Sequence, residues 1–240
     1  MRTTSLLVLL LTALPVWAGD LAIKQRTTTT SGDKSDVREE TQYITATKMV
    51  VDGSDARTIV DVDKQTVTVA DKEKKTWFQM TFADMREQAE SVQKQIEKMP
   101  PEARKQMEAM LGKDTPVTIT PTGKTETIAG YPAAEHTVAG GPFNGILWAT
   151  TAIAMPEGIV KWRELSATTM AAEGPGRRLS EALAKVKGVP LRTTMTAKMG
   201  PNEFTTTAEA VEVKEMTPPA DLMRVPDGFT KVETPKLTDE

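Results

Sequence analysis

From residue 21 to residue 81 apolar and polar positions follow the two-residue period of half-buried β-strands. The pattern predicts strands over 21–30, 38–47, 48–51, 57–62, 65–70 and 76–81. Val67 and Val69 fall on one face of the fifth run, and Thr66 and Thr68 on the other. Asp52-Gly53 and Asp63-Lys64 punctuate the runs as tight turns. Short strands with tight polar links imply an antiparallel meander.

At residue 82 the period changes. Phe82, Met85, Ala89, Val92, Ile96 and Met99 recur three and four positions apart, which predicts a helix with one apolar stripe. Pro100-Pro101 ends that helix and opens a second over 101–111, with Ala103, Met107, Met110 and Leu111 on its apolar side. Strand patterns resume at 117–120 and 124–128, on either side of a Pro121-Thr122-Gly123 turn, and continue at 131–138 and 145–154. Helices follow at 157–171 and 177–187, then a hairpin over 191–199 and 203–216. The pattern predicts an α+β domain over 19–230, with a frayed tail over 231–240.

Residues 1–18, MRTTSLLVLLLTALPVWA, read as an export signal: one Arg, an apolar run from Leu6 to Leu14, and small residues at Val16 and Ala18. Cleavage before Gly19 would place a soluble chain in the periplasm. The apolar run is shorter than the ~20 residues a membrane-spanning helix needs. With 30 Lys and Arg against 33 Asp and Glu, no basic stretch points to nucleic acid. Cysteine is absent, which removes thiol chemistry, disulfides and a cysteine-linked lipid anchor.

Candidate chemistry is sparse. His136 is the single histidine, and no G-x-S-x-G elbow is present. Asp61 and Asp63 stand two apart, but the second begins a turn, and no catalytic, metal or cofactor site is expected. Methionine is enriched, with 13 against five Phe and two Tyr. Unbranched thioethers adapt to variable apolar surfaces as well as filling core gaps. Met85, Ala89, Val92, Ile96, Met99, Met107, Met110 and Trp148 are therefore the expected lining of an apolar ligand site.

Several stretches carry a family resemblance: TATKMVVDG at 45–53, TIVDVDKQTVTVADKEKKTWFQM at 58–80, IAGYPAAEHTV at 128–138 and VPDGF at 225–229. Lys75, Thr76 and Trp77 in one strand, Gly130-Tyr131 entering another and Trp148 in an apolar strand belong to the same pattern. Together they resemble an exported bacterial family known as domain of unknown function 4412. More distantly, the layout is similar to the periplasmic lipoprotein-carrier and lipoprotein-sorting superfamily. That resemblance implies a large curved antiparallel sheet, half-barrel-like, with helices over its concave face and an apolar cavity between. It also implies a noncatalytic exported carrier whose partner is a lipid or another hydrophobic segment. A structural or protein-interaction role in the cell envelope and a carboxylate-dependent hydrolase are the alternatives.

Overall fold

The computed structural model describes residues 19–111, 115–140, 143–169, 175–199 and 202–235. The expected export signal lies outside them. The first six strands are β1 (Leu21–Ser31), β2 (Lys34–Ile44), β3 (Lys48–Asp52), β4 (Ala56–Asp61), β5 (Thr66–Asp71) and β6 (Thr76–Thr81). Each pairs antiparallel with the next. The β4–β5 and β5–β6 turns are built alike. Asp61 accepts the Lys64 N–H at 2.9 Å, and Asp71 accepts the Lys74 N–H at 2.8 Å. Each turn closes on a residue with φ of 53°, Gln65 or Lys75. Carboxylate-to-backbone bonds of this kind hold a turn where a non-glycine residue must adopt left-handed backbone.

Helix α1 (Phe82–Glu97) begins at a capping box, with the Thr81 hydroxyl accepting from the Asp84 N–H and the Asp84 carboxylate accepting from the Thr81 N–H. Helix α2 (Pro101–Leu111) follows Pro100 directly. The chain then forms β7 (Thr118–Ile128), β8 (Tyr131–Gly140), β9 (Phe143–Thr150), α3 (Glu157–Thr169), α4 (Pro175–Ala184), β10 (Val189–Met199), β11 (Asn202–Glu215) and β12 (Thr230–Lys231).

One sheet holds all twelve strands, in the order β12-β6-β5-β4-β3-β2-β1-β11-β10-β9-β8-β7. Strand β1 joins the two meanders, with β2 on one side and β11 on the other. Every pairing is antiparallel except β12 with β6. The main apolar cluster gathers Leu21, Ile23, Ile44, Trp148, Ile159, Val189 and Leu191. A second contains Val138, Leu147, Ala149 and Val186, with Leu179 and Leu183 of α4 against it.

Three expectations are corrected. The half-barrel does not form: the sheet is open, neither curled nor closed, and β12 and β7 are separate ends. Nor does the apolar stripe of α1 pack on it as a whole. Phe82 is the one buried residue of α1, and its ring meets Trp162 of α3 edge-on, 5.8 Å between centroids. The physical reason lies in the strands. The outer reach of β2, from Lys34 to Glu39, is exposed, and the facing part of β1 is Arg26 followed by threonines and Ser31, so no continuous apolar face exists for a sheet to wrap around.

The third correction concerns residues 117–128. Instead of two strands about a Pro121-Thr122-Gly123 turn, one strand forms, with its register broken between Pro121 and Thr125. Gly123, at φ 82°, permits the bulge. The bulge brings Thr122 and Lys124 onto buried Glu135, at 2.9 and 3.1 Å. The tail is also tied further than expected: the Val232 N–H donates to Trp77 O at 2.8 Å, and the Thr234 hydroxyl donates to Gln79 O at 3.1 Å.

Candidate functional site

Helices α3 and α4 sit on the middle of the sheet, and glycines let them approach it closely. A Cβ on Gly158, in the first turn of α3, would lie 2.1 Å from Thr45 O. A Cβ on Gly188, after α4, would lie 2.2 Å from Thr150 O, and φ there is +94°. Both contacts are with backbone, which cannot move aside cheaply. The larger side chains Trp162 and Leu183 face the space left between helices and sheet. A partly open cavity of about 330 Å³ remains between helices and sheet.

Its sheet wall carries Ile23, Ile44, Val189 and Leu191 from β1, β2 and β10. Its helical wall carries Ile159, Trp162 and Leu183. Polar groups are few: Gln25, Gln42, Ser166, Ser180, Thr193 and Arg163. A mostly apolar wall with a few placed polar groups is the usual composition of a small-molecule site, and the volume falls at the low end of the ~300–1,000 Å³ such sites occupy.

Arg163 is the charged member. Its Nη1 donates to Val186 O at 2.8 Å, and its Nη2 donates to Gly188 O at 3.3 Å. Met155 Sδ lies 3.6 Å from Nη1. Burial lowers its affinity for its proton, and no charged neighbour offsets this. A guanidinium offers five N–H donors, so two carbonyls do not exhaust it.

The residues expected to line a ligand site are placed elsewhere. Met85, Ala89 and Ile96 are half-buried on α1, Met99 is half-buried just beyond its end, and Val92 is exposed. None of them lines the cavity. Met107 and Met110 belong to α2, and their side chains lie outside those described. Trp148 is buried in the main cluster, with the Arg192 guanidinium 5.9 Å from its ring centroid. Arg192 is held charged between Glu126, at 2.9 and 3.0 Å, and Glu209, at 2.8 Å.

The cavity residues had one signal in the sequence. Ile159, Trp162, Arg163 and Ser166 occupy the spacing of a single helix face, so an arginine stands within an apolar stripe. The other candidates have ordinary structural partners. Asp61 closes its turn, and Asp63 pairs with Lys161 at 3.3 Å. His136 Nδ1 lies 3.2 Å from Ala134 O, on the wall of a second cavity between β7 and the end of α4. The Thr122 hydroxyl, with Lys124 beside it, holds the Glu135 carboxyl below its usual range. Among the described residues no group of three or more His, Cys, Asp or Glu side chains is placed to hold a metal ion. No described helix is long and apolar enough to cross a membrane.

A family model described as a domain of unknown function (DUF4412) matches residues 34–229. The chain belongs to this family. The match runs from β2 into the segment that precedes β12, so it includes both cavity walls except β1. No curated protein matches the chain significantly. Among solved structures, the chain is similar to PNGF-II at 13% identity and TM-score 0.43, over 92% of this chain and 32% of that one. It thus spans about a third of PNGF-II's length. MucB is similar at 11% identity and TM-score 0.34, over 88% and 59% of the two chains. A putative outer membrane lipoprotein-sorting protein domain from Vibrio parahaemolyticus is similar at 9% identity and TM-score 0.32, over 85% and 89%.

Proposed function

We propose that this DUF4412 member is a noncatalytic binding protein for a hydrophobic ligand, a lipid or other acyl-bearing molecule, and that it works in the periplasm after its leader is removed. The observation that carries the proposal is the cavity of about 330 Å³ under α3 and α4. Its walls join buried aliphatic side chains of the sheet to Ile159, Trp162 and Leu183 of the helices. The described helical wall comes from α3 and α4.

The test is uptake of N-phenylnaphthylamine, a neutral dye that brightens in apolar sites, by the chain from residue 19 onward. Saturable uptake at one dye per chain is expected. Ala208 stands on the sheet wall, so Ala208→Phe should fill the space and remove the uptake while the fold is kept. Equal uptake by wild type and Ala208→Phe would refute the assignment of the site. N-terminal sequencing of envelope-derived protein checks the export step, with Gly19 expected as the first residue.

A further inference from the structure

We infer that the cavity takes an amphiphile with a single anionic head, a carboxylate or a phosphate, received by the Arg163 guanidinium while the acyl chain lies along Ile23, Ile44 and Leu191. This rests on the proposed binding function and names the ligand class within it.

The first support is an unbalanced charge. Arg163 sits on the helical wall of an apolar space, and none of the described residues lining that space is an Asp or Glu. Its partners are two carbonyl oxygens and a thioether. Cations withdrawn from water are normally paired with an acid, because neutral acceptors replace only part of the lost hydration. Among the described residues no acid supplies that pairing.

The second support is geometry. The bonds to Val186 O and Gly188 O fix the guanidinium against the segment leaving α4. A planar fork held in this way is arranged in advance for the two oxygens of a carboxylate or phosphate. Ser180 and Gln42 line the same space, and their side chains make no hydrogen bond with any described residue. They are available to a head group. Gln25 is not, because its amide is engaged by Glu40.

A purely structural bracket predicts something else. If Arg163 only ties α3 to the chain after α4, head-group charge should not affect binding. The experiment therefore displaces N-phenylnaphthylamine with dodecanoate, dodecyl phosphate and dodecanol, which share one chain and differ in the head. Wild type should bind at least one anion roughly tenfold or more tighter than the alcohol, the scale of a charge-assisted hydrogen-bonded contact. The tighter anion identifies the head.

Arg163→Gln should bring the anions to the alcohol's affinity. Arg163→Lys should retain part of the preference. Ser166→Asp, one helical turn further on the same wall, provides an internal acid and should cancel the preference with Arg163 in place, which keeps the test valid if Arg163→Gln fails to fold. Equal affinity of wild type for all three ligands, or a preference surviving both Arg163→Gln and Ser166→Asp, would overturn the inference and leave the binding function standing. Failure of all three ligands and of the dye itself would overturn the binding function.

Discussion

Replacing Arg57 with Met should release the C-terminal segment from the sheet. Arg57 lies on β4 and is 7% exposed. Its Nε donates to Asp52 Oδ1 at 2.7 Å, and its Nη1 donates to Asp221 O and Arg224 O at 2.9 and 3.1 Å. One buried guanidinium therefore pins the chain between β11 and β12. Hydrogen bonds to a charged group contribute ~1.5–3 kcal/mol each. Asp221 and Arg224 are exposed residues, so water can replace the lost donors and the lower end applies. Asp52 keeps Lys72 at 2.9 Å, which avoids the ~3–5 kcal/mol cost of a buried charge left alone. The expected loss is about 2–4 kcal/mol. At ~2–4 °C per kcal/mol for a domain of this size, the Tm should fall by about 5–15 °C. The diagnostic assay is hydrogen exchange at the amides of Thr230 and Val232, which bond to Lys75 O and Trp77 O. They should lose protection before the amides of β4 and β5 do. Unchanged protection at Thr230 and Val232 in a destabilised Arg57→Met protein would refute the pinning argument.

Four further outcomes are expected. Phe82→Ala should cost ~3–5 kcal/mol in urea denaturation, because that ring is 3% exposed and packs on Trp162, whereas Val92→Ser should stay within about 0.5 kcal/mol. Gly158→Ala should lower the Tm by several degrees, since its Cβ would meet Thr45 O at 2.1 Å; an unchanged melt would mean that α3 is not seated there. Burial pushes the Asp52 carboxyl up, but Arg57 and Lys72 outweigh it and hold the group below its ordinary value of 3.8. Its contribution is then full above about pH 4 and lost as the pH falls through the folded value, so Asp52→Asn should flatten the acid limb of a stability–pH curve. Thr122→Val should loosen the β7 bulge, read as faster exchange at the Lys124 amide, which lies 3.3 Å from the Thr122 hydroxyl; unaltered exchange there would argue that the register break forms without it.

Much of the strand order was legible because local chemistry repeats. The polar links after the fourth and fifth strand patterns show in the sequence, and Asp61 and Asp71 close them in the structure. The change of period at Phe82 marks the start of α1, and the Thr81–Asp84 capping box holds it there in the structure. What escaped was everything set by distant partners. The stripe of α1 has correct helical spacing, but spacing states that a face is apolar and not what covers it. The bulge in β7 depends on Glu135 waiting in the neighbouring strand. Strand β12 has only two residues and exists because β6 offers a free edge. The open shape of the sheet follows from the polar outer parts of β1 and β2, which a resemblance resting on short motifs elsewhere does not weigh. The cavity was hidden because its walls come from five separated stretches of chain, with Arg163 as the one local anomaly.

The place of β1 between β2 and β11 also sets an order of events. Leu21 pairs with Ile44, a near neighbour in the chain, and with Glu215, which is among the last strand residues to be synthesised. Until that late segment arrives, the first meander carries an unsatisfied seam along its whole length. Pairings of such sequence separation form slowly, because the loop between them must be closed first. A nascent chain is therefore held short of its final state until it is nearly complete. Under the proposed export, such a delay would keep the chain unfolded until synthesis is nearly complete.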